Sequence, residues 1–153
     1  MMKELLSQDG VFVRAGASGK KQVLGILAKL AAKTFALDSA LVLRYLLERE
    51  ALGSTGVGGG VAIPHARVPN LDTVKGFFVR FDTPIAFAAV DDVPVDLFFV
   101  LLAPVDSGVE HLKALAQVSR CLRSPKMRER LRLAPDADAC RVILYNSDQA
   151  KPL

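Results

Sequence analysis

The chain contains two histidines, His65 and His111, and each stands where an imidazole can do chemistry on an anion. In Ile63-Pro64-His65-Ala66-Arg67, His65 ends a short apolar stretch, just after a proline that fixes the local backbone. Functional groups of α/β sheets collect where strands meet loops. His111 falls in the first turn of a helix predicted to start near Ser107. The positive end of a helix disfavours imidazolium and favours a neutral ring, and its free amides suit an anion such as phosphate. On the residues alone, an isolated, partly buried hydrogen-bonding side chain is an equally good reading of His65 and the favoured reading of His111. A zinc site built from His65, His111 and a cysteine is weakly signalled, because no two candidate ligands have local metal-ligand spacing. Cys121 falls within an apolar helical pattern, which makes it core rather than the nucleophile of a Cys-His pair.

Just upstream runs Gly53-Ser54-Thr55-Gly56-Val57-Gly58-Gly59-Gly60, a loop that invites a nucleotide reading. Gly53 and Gly58 have the spacing of G-x-x-x-x-G-K-[ST], but Gly59 stands where the lysine belongs. G-x-G-x-x-G requires a glycine at position 61, which is Val61. Both motifs also need a strand before the loop and a helix after it, whereas here the order is helix, loop, strand. The nucleotide reading fails on chemistry and topology together. One or two of these glycines serve a long turn with positive φ. The run Gly58-Gly59-Gly60 suggests, in addition, backbone brought close to another group.

Several elements must position these residues. Val11-Phe12-Val13 signals a short strand. Ser18 is a candidate N-cap for a helix from about Lys20 to Phe35, with Val23, Leu24, Leu27, Leu30 and Ala31 as its buried stripe. Asp38 caps a second helix, to about Ala51, with Leu41, Tyr45 and Leu46 inward and Arg44, Glu48, Arg49 and Glu50 on the polar side; Gly53 stops it. Gly76 to Phe81 reads as a strand, Pro84 to Val90 as a bend or short strand, and Asp91-Asp92 as a turn. Val95 to Ala103 is an almost unbroken apolar run, as in a strand covered on both faces. Ser107-Gly108-Val109-Glu110 has capping-box spacing and opens a helix to about Arg123 that buries Leu112, Leu115, Val118 and Leu122. Helical segments around Lys126–Leu133 and from Asp136 to about Tyr145 complete the chain. The alternation predicts an α/β fold with a central sheet between helical layers.

The 153 residues set one domain as the expectation, long enough to bury a sizeable core. With 51% hydrophobic and 24% charged residues, the chain is not disordered. Its net charge of +4 is too small to argue for nucleic acid by itself. The basic run Arg120, Arg123, Lys126, Arg128, Arg130, Arg132 lacks interleaved aromatics and lies on amphipathic helices, which marks a solvated face. Two cysteines, Cys121 and Cys140, make no disulfide framework. The start Met1-Met2-Lys3-Glu4-Leu5 carries no signal-peptide stretch, and no apolar run approaches the roughly 20 residues that span a bilayer. The expectation is a soluble, cytoplasmic protein with no membrane insertion.

From Arg49 through the glycine loop to Pro64-His65, the sequence resembles the active-site signature of phosphotransferase-system enzyme IIA domains of the fructose/mannitol type. Pro84-Ile85, Pro94-Val95-Asp96-Leu97 and Glu110-His111-Leu112-Lys113-Ala114-Leu115 match the same family in the same order. The similarity covers almost the whole chain, residues 1–153 with a core of about 3–146. Within the family it most resembles the nitrogen-regulatory IIA proteins, which stand alone, and the expectation in keeping with this is that no permease or fused IIB domain accompanies it. The resemblance implies a single domain with a mixed β-sheet covered by helices on both faces. It implies that His65 accepts a phosphoryl group from a phosphohistidine on HPr or its nitrogen-branch paralogue. His111 and Arg49 would stabilise the phosphate. Relatives use Nε2, so Nδ1 of His65 is expected to face a backbone carbonyl.

Gly56, Gly58 and Gly60 would let backbone amides and the donor approach closely, and Arg67 reads equally as a contact to the phosphate or a partner and as a plain surface arginine. No metal, nucleotide or other cofactor is required, because the donor phosphohistidine is already high in energy. The partners implied are the HPr-type carrier and regulated cytosolic proteins or transporter subunits; a homodimer stays open. Gly59 stands where relatives often carry asparagine, and Ala88 where an acidic residue is common. Two other functions remain: a transport enzyme IIA passing phosphate to a separate IIB, and an interaction module whose histidine is never phosphorylated.

Overall fold

The computed structural model describes residues 2–149. Helix α1 (Met2–Leu5) leads into strand β1 (Leu6–Arg14), followed by helices α2 (Lys20–Phe35) and α3 (Ser39–Ala51). Three short strands, β2 (Gly56–Gly58), β3 (Val61–Ala62) and β4 (His65–Arg67), precede the long pair β5 (Lys75–Ile85) and β6 (Val95–Ala103). Helices α4 (Val109–Arg123), α5 (Pro125–Leu133) and α6 (Ala137–Tyr145) follow, with a 3₁₀ turn at Asn146–Gln149. The sheet order is β1-β5-β6-β3-β2, with β4 also paired to β6. β5 and β6 are antiparallel, while β1 lies parallel to β5 and both β3 and β4 parallel to β6. The central sheet expected from the sequence is therefore present, and it is mixed, as the family resemblance implied.

Alternation along β5 and β6 divides the core in two. Phe77, Val79, Phe98, Val100 and Leu102 pack under α2 and α3. Phe78, Leu97, Phe99 and Leu101 pack under α4, α5 and α6. Every residue of β6 except Asp96 is buried, which is why its sequence is an almost unbroken apolar run. The polar interruption of β5, Arg80, is buried too, and its Nη1 donates to the carbonyls of Leu131 and Ala134 at 2.9 and 2.7 Å. It thereby satisfies carbonyls that the end of α5 leaves without partners.

β1 is longer than Val11-Phe12-Val13, because its apolar positions are interrupted by Ser7, Gln8 and Asp9. Asp38 caps α3 as expected, its Oδ1 accepting from the Ala40 and Leu41 amides. Ser18 does not cap α2. The N-cap is Gly19, and the Ser18 amide instead donates to Gln22 Oε1. Ser107 does not form the capping box either. Its hydroxyl donates to the Pro104 carbonyl at 2.9 Å, closing a turn, and Gly108 becomes the N-cap of α4. The buried face of α4 is then His111, Ala114, Val118 and Leu122, so Leu112, expected inside, is 65% exposed.

The placement of the first histidine follows from one edge of β6. β3 and β4 run along that edge in a single register, from Val61↔Leu97 to Arg67↔Ala103. The break between them is Ile63-Pro64, where proline has no amide to give the ladder; the Pro64 carbonyl still accepts from Leu101 N at 3.0 Å. His65 is the residue at which the strand resumes.

Candidate functional site

His65 is half-buried and held at both ring nitrogens. Nδ1 lies 2.8 Å from the Ile63 carbonyl. A carbonyl only accepts, so Nδ1 carries the hydrogen and Nε2 keeps a lone pair. Into that lone pair points the Nε–H of Arg49, at 3.2 Å. Arg49 comes from the last turn of α3 and also donates through Nη1 to the Gly53 carbonyl at 2.8 Å. The imidazole is thus fixed as one tautomer, with its free nitrogen facing a guanidinium.

His111 meets it from α4. The two rings lie edge to face, with centroids 5.5 Å apart and planes at 72°. His111 is 6% exposed, and its Nε2 has no hydrogen-bond partner among the described residues. It is the third residue of α4, where the helix presents unpaired amides and the positive end of its dipole. Burial pushes the His65 pKa below its ordinary value and Arg49 adds to this, while the Ile63 carbonyl and Glu50 oppose it. Burial also lowers the His111 pKa, helped by His65 and Arg67. Both shifts favour the neutral ring.

These side chains share a cleft of about 550 Å³, whose apolar lining includes Tyr45, Leu52, Val105, Leu112 and Leu115. Leu52 is 85% exposed and stands at the rim. Arg67 lines the cleft as well and donates through Nε to the Ser107 carbonyl at 3.0 Å, tying β4 to the start of α4. A larger depression, about 720 Å³, lies beside Glu4, Asp72, Asp106 and Glu110. Those four carboxylates outweigh its one lining cation, Lys113, and disfavour a phosphate. In the smaller cleft Arg49 and Arg67 outweigh Glu48, and the balance favours one.

The structure brings together four of the residues singled out from the sequence: His65, His111, Arg49 and Arg67. It does not bring Gly56, Gly58 or Gly60 into the cleft. Their close approach is to the chain itself. A Cβ on Gly56 would lie 2.7 Å from that of Ala89. One on Gly60, at φ 78°, would collide with Nη2 of Arg132, which donates to the Gly59 carbonyl and the Asp96 carboxylate. Gly58 pairs with Val61 in the β2–β3 ladder. The loop amides of Gly56 and Gly59 are spent on Ser54 Oγ and Asp91 Oδ2.

Glu50, expected on the polar face of α3, is instead buried, at 9% exposure. Its carboxylate accepts from the Thr55 amide at 3.1 Å and from the Thr55 hydroxyl, and it pairs with Lys20 Nζ at 3.0 Å. The signal is present in the spacing: Val42, Leu46 and Glu50 are the buried residues of α3 and recur every fourth position, on one helix face.

Among the described residues no cluster of three or more histidine, cysteine or acidic side chains could hold a metal ion, and no helix is long and apolar enough to cross a membrane. Residues 4–147 match the family described as "Phosphoenolpyruvate-dependent sugar phosphotransferase system, EIIA 2". A nitrogen regulatory protein of Bradyrhizobium diazoefficiens is 43% identical over 141 residues, covering 92% of each chain. The crystal structure of nitrogen regulatory protein IIA-Ntr from Neisseria meningitidis superposes with TM-score 0.85 at 35% identity, covering 92% of this chain and 97% of that one. An Escherichia coli enzyme IIA for mannitol, solved in complex with phosphorylated enzyme IIB, shares the fold with TM-score 0.76 at 20% identity, over 93% of this chain and 99% of that one.

Proposed function

The chain belongs to the EIIA 2 family of the phosphoenolpyruvate-dependent sugar phosphotransferase system, and we propose that it is a phosphocarrier whose acceptor is Nε2 of His65. The donor is a phosphohistidine on an HPr-type protein, and the phosphorylation state regulates partner proteins in the cytoplasm. The observation that carries this reading is the bond from His65 Nδ1 to the Ile63 carbonyl, which leaves a nucleophilic lone pair on the nitrogen facing the cleft.

Transfer between two imidazoles asks the protein for positioning and charge stabilisation rather than covalent chemistry. The Nε2 lone pair attacks phosphorus as the donor N–P bond breaks, and that bond's electron pair stays on the donor nitrogen. A donor ring protonated at its other nitrogen leaves as neutral imidazole. His65 becomes a phosphoimidazolium whose Nδ1–H is still donated to Ile63. Arg49 exchanges its ring contact for phosphoryl oxygens, to which a planar guanidinium is well matched. His111 Nε2, deprived of a partner in the free protein, is suited to the incoming group, as are the amides that open α4. The apolar cleft walls and exposed Leu52 offer the donor a docking surface with a polar rim.

The regulatory role is supported by the 43% identity to a nitrogen regulatory protein. A transport role, passing phosphate on to a separate IIB, is supported by the fold shared with the mannitol enzyme IIA. Incubation with a phosphoenolpyruvate-driven relay and measurement of intact mass tests the carrier reading. A gain of roughly 80 Da, for one phosphoryl group, is expected, and it should be lost in acid. No gain with either HPr or its nitrogen-branch paralogue would leave an interaction module. Adding a IIB to the phosphorylated chain separates transport, which discharges it, from regulation, which does not.

A further inference from the structure

We infer that Glu50 and Thr55 are positioning residues for His65, linked to its non-reacting nitrogen by a continuous series of hydrogen bonds through Ile63. This rests on the carrier reading only for the rate it predicts. Lys20 on α2 pairs with Oε1 of Glu50. Oε1 also accepts from the Thr55 amide, and Oε2 from the Thr55 hydroxyl. The Thr55 carbonyl accepts from Ile63 N at 3.0 Å. The Ile63 carbonyl then accepts from His65 Nδ1 at 2.8 Å.

Fold stability alone does not account for such an arrangement. Burying a carboxylate carries a large desolvation cost, and well-packed apolar residues often serve as well or better in its place. Here both carboxylate oxygens accept from one residue, Thr55, and Thr55 in turn holds the amide of Ile63, the residue whose carbonyl sets the His65 tautomer. The Ile63-Pro64 break explains the need. Between β3 and β4 Pro64 has no amide to give, so the carbonyl that matters is fixed from the far side, through Thr55. If that carbonyl drifts, Nδ1 loses its acceptor, and the hydrogen can move to Nε2 and remove the nucleophile.

Charge works in the same direction. The ring becomes cationic as it takes up the phosphoryl group. Tyr45, Glu48 and Arg49 on α3, Arg67 on β4 and His111 on α4 line the cleft with the ring; of the charges that act on it, Arg49 opposes the positive charge and Glu50 supports it.

The test reads the tautomer directly, by long-range ¹H–¹⁵N spectra of the His65 ring at pH 8 in the full chain. Wild type should show a protonated Nδ1 and a lone-pair Nε2. Thr55→Val, which keeps the shape and removes the hydroxyl donor, should populate the Nε2–H tautomer and slow phosphoryl transfer by roughly 10-fold to 100-fold, the scale of a small misplacement of a reacting group. Glu50→Gln should do the same, and Thr55→Ser should restore both tautomer and rate. An unchanged Nδ1–H tautomer in Thr55→Val, with an amide spectrum showing the native fold, overturns the inference whatever the rate. Should Glu50→Gln fail to fold, Thr55→Val and Thr55→Ser decide the matter. If wild type is never phosphorylated, the carrier reading falls, and the tautomer populations of wild type and Thr55→Val still decide whether Thr55 positions the ring.

Discussion

Arg49 Nε donates to His65 Nε2 at 3.2 Å, so the nitrogen with the free lone pair is covered by the cation best suited to hold an arriving phosphate. The guanidinium also grips the Gly53 carbonyl through Nη1. It can therefore pivot about that bond, uncovering the lone pair as its Nε turns to a phosphoryl oxygen.

Arg49→Ala should slow transfer from a phosphorylated donor by roughly 10-fold to 1,000-fold, by analogy with removing one preorganised donor from a developing charge. Arg49→Lys should recover little, because a point charge lacks the planar fork. Single-turnover transfer at fixed pH measures both. A wild-type rate in Arg49→Ala would reduce this residue to a helix-end contact.

His111→Ala should also slow transfer, within the same roughly 10-fold to 1,000-fold range. It should shorten the life of phospho-His65 more than Arg49→Ala does, since His111 sits on the first turn of a packed helix and Arg49 ends a long side chain. Decay of the purified phosphoprotein checks this. Equal lifetimes in the two variants would contradict it.

The pH dependence follows from both histidine pKa values lying below 6.5 in the folded chain. The acceptor stays neutral as pH falls past 6.5, so transfer measured with a donor saturating at each pH should hold from pH 8 to below 6.5 before declining. Stability has the same direction. Below 6.5 the unfolded chain takes up protons that the folded chain refuses, so stability is fully present above that pH and declines as pH falls further. Urea denaturation at pH 7.5 and 5.5 should show the loss, and it should be smaller in a His65→Ala, His111→Ala double variant. A stability that rises on acidification to 5.5 in wild type, and not in the double variant, would contradict the sign.

Gly60→Ala should destabilise the fold by about 1–3 kcal/mol, because it puts a side chain at positive φ and into the guanidinium of Arg132. Chemical denaturation gives the number. Wild-type stability would mean that the Arg132–Asp96 pair yields without cost.

The sheet is legible in the sequence where burial is two-sided. The bounds of β6 coincide with the apolar run because no solvent face breaks it. α3 is legible through Asp38 and its periodicity, and the same periodicity points to Glu50; the charged neighbours Glu48 and Arg49 mask it. Ser18 and Ser107 have the right types for caps, but their amide and hydroxyl find nearer partners in Gln22 and Pro104, a choice that no spacing rule makes. His65 stands out by its place after Pro64. Its meeting with Arg49 and His111 is not legible in local patterns and enters through the family resemblance, because three separate elements supply those side chains. The glycines do mark places of close approach. What they approach, Ala89 and Arg132, is remote in sequence and invisible to a local reading.

The central claim is that one nitrogen of one residue takes the phosphoryl group. Protein with ¹⁵N-labelled histidine, phosphorylated by its donor and observed for ³¹P–¹⁵N coupling, tests it most directly. A direct coupling at His65 Nε2, with Nδ1 still protonated, is the predicted result. A coupling at His65 Nδ1 or at either nitrogen of His111 would contradict it.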